Sequence, residues 1–325
     1  SGWRFAIFIG IYLVVLLIAT NLLQLALYFL LGNAAVHFLE GYRGWIVQAL
    51  LLFSTGAVVG WACGRIFEDL PARALGWALH RGWARDLLMG TLTGIASLML
   101  AACIATVFGG FRFTLSPPGR LQAIGKTVLF SLFVFILAAA AEEVLFRGYP
   151  LQTLTRARYR WIGVILTSML FASVHLDNPN VVPGFTFINT ALAGIWLGAA
   201  YLKTRSLWFP LGIHWAWNWT MGAILGLPVS GIDKLTPAPL LRASVTGPAW
   251  LTGGSYGIEG GAACTVALII STIFIWYMPF VRPTEEMLRL TDQENPKRTK
   301  EPISIRNDGE QESEFRIQES EEKPL

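Results

Sequence analysis

The chain has 325 residues; 54% are aliphatic, aromatic or sulfur-bearing and 32 more are glycine, roughly 64% apolar together against about 45 to 50% in soluble domains. Charged residues are only 14%, against about 25%. That balance excludes a disordered chain, a nucleic-acid-binding domain coated in Lys and Arg, and a water-soluble globule, which would lack the polar surface to cover itself.

Crossing a ~30 Å hydrocarbon core takes about 20 predominantly apolar residues. Eight such runs follow one another, at about 5–31, 45–66, 87–109, 122–146, 161–176, 184–202, 207–226 and 260–281. The first exceeds the roughly 7 to 15 apolar residues of a signal peptide and reads as an anchor. Gly90 with Gly94, and Gly194 with Gly198, form G-x-x-x-G pairs suited to close helix approach, read here as internal packing. The fourth run carries Lys126, Glu142 and Glu143, and the fifth is short. The expected fold is all-α, a polytopic bundle of about eight spans enclosing a polar cavity. It divides into N-terminal spans (1–119), a core that holds the ionisable residues (120–283) and a tail (284–325).

Residues 284–325 hold 12 of the 21 acids and 7 of the 25 bases, a net of −5, which leaves +9 on residues 1–283. With few apolar residues and no sustained period, the tail reads as solvated, disordered and cytoplasmic. Counting Lys and Arg in the loops gives ten on the side of both termini and six on the other, which places both termini in the cytoplasm. Cys63, Cys103 and Cys264 lie in apolar runs without C-x-x-C spacing, so neither a zinc knuckle nor a disulfide framework is expected.

An ionisable group inside a span costs a few kcal/mol or more and points to function by default. Glu142, Glu143 and Arg147 occupy one run, His175 another, and His214 with Asn218 a third. Glu143 and Arg147 are four apart and share a helix face, where an ion pair eases burial of the acid. Glu142 lies about 100° round and is left without that partner, an environment that suits a general base. The plainer account makes both acids one salt-bridge cluster. His214 and Asn218 project together and offer a neutral imidazole N–H and an amide N–H, the donors of an oxyanion hole; interhelical hydrogen bonding is the plainer account. Trp215, Trp217 and Trp219 read either as an interfacial belt or as cavity walls. His175 alone is ambiguous.

These residues form three ordered motifs: E-E-x-x-x-R at Glu142, Glu143 and Arg147, F-x-x-x-H at Phe171 and His175, and H-x-x-x-N at His214 and Asn218. In this the chain resembles the CPBP intramembrane proteases, which include the type II CAAX prenyl endopeptidases and bacterial bacteriocin-processing and self-immunity proteins. The motifs cover about 120–225, and residues 252–261 resemble bacterial members. The resemblance implies a glutamate-dependent membrane endopeptidase with 120–283 as its catalytic core. Glu142 would activate a water, His175 would position or deprotonate it, and His214 with Asn218 would stabilise the oxyanion. Glu143 with Arg147 would orient Glu142, and Phe171, Trp215 and Trp217 would line the substrate cavity. No cofactor is expected; the alternative is a zinc ion on Glu142, His175 and His214. Expected partners are a peptide or lipidated protein substrate and membrane lipid, without nucleic acid, in what is expected to be a bacterial plasma membrane. A non-catalytic scaffold or immunity protein and a proton-coupled transporter are the rival classes.

Depth poses a difficulty. Counted from the cytoplasmic ends at about 1.5 Å per residue, His214 lies ~10 Å in and His175 ~21 Å in, while Glu142 is near the end of its span. Convergence requires tilted, offset or broken helices, for which Pro150, Pro179 and Pro183 give room.

Overall fold

A computed structural model describes residues 2–182 and 184–291; Pro183 and the segment 292–325, with most of the acidic tail, lie outside the described residues. Each of the eight apolar runs is helical over most of its length. The long helices are α1 (Gly2–Leu31), α3 (Tyr42–Glu68), α4 (Trp83–Val107), α5 (Leu121–Arg147) and α8 (Phe185–Thr204). Shorter ones are α2 (Ala34–Phe38), α6 (Tyr149–Arg156), α7 (Arg160–Val174), α9 (Trp208–Trp219), α10 (Ala249–Thr252), α11 (Ala262–Tyr277) and α12 (Glu285–Thr291). Among the described residues, five helices are long and apolar enough to cross a membrane, and α7 and α11 are shorter apolar helices. The 15 residues of α7 span only about 22 Å, short of the ~30 Å core.

Two departures from the expected all-α bundle appear. Phe111–Leu115 (β1) and Leu241–Val245 (β2) pair antiparallel, with Phe111 opposite Val245, and tie the loop after α4 to the one after α9. Each strand is five residues long, too short for its alternation to stand out between apolar helices. The acidic segment also starts differently: Glu285–Thr291 is helical, buries Met287, and pairs Glu286 with Arg73.

The helices from both sides of residue 119 form one compact unit, Ser1–Asp292. Its largest core combines Leu98 and Ala101 of α4, Phe135 of α5, Trp196 of α8, Ile213 and Trp217 of α9, and Leu268 of α11. The G-x-x-x-G glycines are packing devices, as read. A side chain on Gly90 or Gly94 would strike the α9 backbone at Phe209 and Ile213. A Cβ on Gly194 would sit 2.7 to 2.8 Å from Ser168 of α7.

Glu68 anchors the end of α3 to its neighbours. Buried at the end of α3, it accepts from Thr153 Oγ1 at 2.7 Å and from Arg156 Nε at 2.7 Å, both on α6. This holds α6 beside α3. From Glu142 the chain runs about 21 Å along helix to the end of α6, then returns about 22 Å along α7 to His175. The near-equal outward and return paths bring the second motif to the level of the first, which answers the depth difficulty.

Candidate active site

Glu143 is the most deeply buried of the titratable motif residues, with a relative exposure of 0%. Its Oε1 accepts from Arg147 Nη1 at 3.2 Å, the i,i+4 pair expected, and lies 2.8 Å from His214 Nδ1. Arg147 is itself buried; its Nη2 donates to the Gly194 carbonyl of α8 at 3.2 Å. A charge so enclosed survives only when paired and hydrogen-bonded, and both conditions are met here.

Glu142 turns the other way. Its side chain is 30% exposed and lines a cavity of about 420 Å³, and its Oε2 lies 3.5 Å from His214 Nε2, long for a hydrogen bond. His214 therefore stands between the two acids. With Nδ1–H donated to Glu143, a neutral ring offers Nε2 as an acceptor, and Nε2 donates only when the ring carries both protons. This alters the expectation of a neutral imidazole N–H aimed at an oxyanion.

Phe171 links the three motifs. Its ring lies 4.6 Å from the Arg147 guanidinium carbon, 4.5 Å from the His175 ring and 6.1 Å from the His214 ring. His175 Nδ1 meets the Phe171 carbonyl at 2.7 Å, an arrangement that assigns the hydrogen to Nδ1 and leaves the Nε2 lone pair free. Phe171, His175, His214 and Asn218 all line the same cavity as Glu142. A π-helical turn, Thr220–Ile224, follows directly after α9, two residues beyond Asn218.

The tryptophans divide. Trp217 is buried, lines the cavity and donates Nε1–H to Glu259 Oε1 at 3.1 Å. Trp215 does not line it; it packs against Ala139, Ala140 and Leu211 on another face. Residues two apart on a helix are about 200° apart, so both could not face one space. Trp219 donates to the Val128 carbonyl at 3.0 Å.

Residues missed in the sequence complete the opposite wall. Glu259 accepts at Oε2 from Ser230 N at 2.7 Å and Ser230 Oγ at 3.0 Å. Asn189 of α8 clasps that loop, donating from Nδ2 to the Glu259 and Gly261 carbonyls at 2.7 and 2.9 Å and accepting from Thr265 Oγ1 at 2.6 Å. The nearby Tyr256 is fully buried, and burial, reinforced by the charge of Glu259, raises its pKa above the ordinary tyrosine value. The one available signal was a lone carboxylate in the glycine-rich stretch 252–261.

The residues proposed for zinc do not gather as ligands. Among the described residues no three of His, Cys, Asp and Glu are placed to hold a metal ion.

Fold and site together define a helical membrane protein with a cavity walled by carboxylate, imidazole and amide groups. Residues 124–220 match the family model of the type II CAAX prenyl endopeptidase Rce1-like proteins, which bears out the resemblance to the CPBP family. All six catalytic candidates, Glu142 to Asn218, fall inside the matched segment. The chain is also 29% identical over 203 residues to an uncharacterized 24.3 kDa protein of Escherichia coli, covering 57% of this chain and 89% of that protein. The family match supports a membrane-embedded protease.

Proposed function

We propose that the protein is a metal-independent intramembrane endopeptidase that cuts a peptide bond near the membrane surface. The observation that carries this reading is the placement of Glu142 in the cavity wall beside His214, with Glu143 and Arg147 bonded to each other behind it.

In this reading a water held between Glu142 and His175 Nε2 gives a proton to Glu142 as its oxygen attacks the carbonyl carbon. The resulting oxyanion is met by the Asn218 amide and by His214 Nε2–H, which requires the doubly protonated ring. Collapse of the tetrahedral species breaks the C–N bond, and the proton on Glu142 passes to the departing amine. Glu143 acts on His214, not only on Glu142. The substrate is a peptide or lipidated protein, and the setting a bacterial plasma membrane with both termini cytoplasmic.

The deciding experiment is cleavage of a membrane-tethered peptide library by the purified protein in nanodiscs, comparing wild type with Glu142→Ala and His175→Ala, with and without chelator. Loss of cleavage in both variants and indifference to chelator is expected. Loss on chelation with recovery on added zinc would select the metal-dependent alternative. Equal inertness of all three folded proteins would favour a scaffold.

A further inference from the structure

Glu259 is a second carboxylate in the cavity, outside the segment that carries the three motifs. Its three hydrogen bonds come from Trp217 and Ser230, one to Oε1 and two to Oε2. A carboxylate offers about four lone-pair sites, so acceptor capacity remains on Oε1. Glu259 has no ion-pair partner among the described residues, and the cavity lining contains no lysine or arginine. Arg147, the buried cation nearest in the sequence to the motif acids, is committed to Glu143 and to the Gly194 carbonyl. The cavity thus carries two carboxylates whose charge no protein lysine or arginine in its wall balances.

The surrounding walls are apolar and aromatic. Trp196 and Trp217 meet edge to face with ring centroids 5.4 Å apart, and both line the cavity. Trp217 turns its N–H edge to Glu259, so the attraction for a cation comes from the carboxylate, which between apolar walls rewards an opposite charge more than one in bulk water does. A loop staple alone would need only acceptors for the Trp217 and Ser230 donors; a second carboxylate in a cavity whose lining holds no lysine or arginine calls for a cationic guest.

We propose that Glu259, held in the cavity wall by Trp217 and Ser230, forms a subsite that takes a lysine or arginine side chain of the substrate and selects among peptides by charge. That the guest belongs to a peptide that is cut rests on the endopeptidase reading; the preference for a cation does not.

The test uses the full chain in nanodiscs of zwitterionic lipid, with empty nanodiscs as control. Fluorophore-labelled, end-blocked apolar peptides carry one lysine, scanned through the sequence, or norleucine or glutamate at the same place. Binding is read by anisotropy and cleavage by mass spectrometry in the same samples. At one position wild type should bind the lysine peptide about tenfold more tightly than its norleucine counterpart. Glu259→Gln should reduce that ratio to near one, and Glu259→Lys should favour the glutamate peptide. Equal wild-type affinities for lysine and norleucine at every position would overturn the proposal without any variant. So would survival of the preference in folded Glu259→Gln. Charge-selective binding without cleavage would leave the subsite standing and remove the protease reading. Cleavage without charge selectivity would do the reverse.

Discussion

His214 Nδ1 and Glu143 Oε1 lie 2.8 Å apart in a buried setting, and this contact joins the third motif to the first. It fixes the imidazole so that Nε2 faces Glu142 and the cavity. Glu143 is thus a positioning residue for His214 as well as the partner of Arg147.

Replacing Glu143 with Gln keeps the shape but removes the charge that holds both Arg147 and the imidazole. The expected outcome is a fall of about 10² or more in kcat with KM little changed, because substrate touches neither group in the ground state. Steady-state cleavage kinetics on the best library peptide check the split; an equal rise in KM would point to a general loss of cavity structure.

Glu142→Gln removes the base itself and leaves the cavity filled. General-base removal is expected to lower kcat/KM by about 10² to 10⁴ while the variant elutes and melts as wild type does. Retention of full activity would remove Glu142 from the mechanism.

Gly194→Ala tests the seat of Arg147. The added methyl would lie 2.7 to 2.8 Å from Ser168 and push α7 off α8 at the carbonyl that receives Arg147. Overpacking of this kind costs about 1 to 3 kcal/mol, and thermal melting in detergent should drop accordingly. Adding Ser168→Gly should restore part of the loss, which a defect unrelated to packing would not do.

Glu68→Ala leaves Arg156 buried and uncompensated. Breaking such a pair is expected to cost about 3 to 5 kcal/mol. The melting transition measures it, and a limited-proteolysis time course should show earlier cutting around α6. Unchanged melting would mean that Arg156 finds another partner.

The tryptophans separate by face. Trp215→Phe, in a residue packed away from the cavity, should leave KM unchanged, whereas Trp217→Phe removes the N–H donated to Glu259 and should raise it. Parallel KM determinations on the two variants decide this, and a larger effect at Trp215 would invert the assignment.

The motif constellation was legible because its residues are spaced by four on helices, so Glu143 with Arg147 and His214 with Asn218 had to share faces. His175 could be named but not given a tautomer, since that depends on the Phe171 carbonyl at the end of its own helix. Glu259 was illegible for a different reason: its bonds go to Ser230 and Trp217, 29 and 42 residues away, through a loop without periodicity. The β1–β2 pair and the short α12 escaped because five to seven residues carry too little pattern. The depth difficulty came from counting each run from its own end, when α6 and α7 carry the chain about 21 Å away from Glu142 and about 22 Å back.

One helix holds both ends of the cavity. On α8, Asn189 clasps the loop that bears Glu259, while Gly194 receives Arg147 behind the paired acids. Five residues of helix separate the two anchor points, about 7.5 Å along its axis. The helix therefore acts as a ruler: the spacing between the acidic pair and the far carboxylate is set by a rigid rod. Lengthening the loops at either end would leave it alone, whereas a one-residue insertion between Asn189 and Gly194 would shift it by about 1.5 Å and turn one anchor about 100° away from the other.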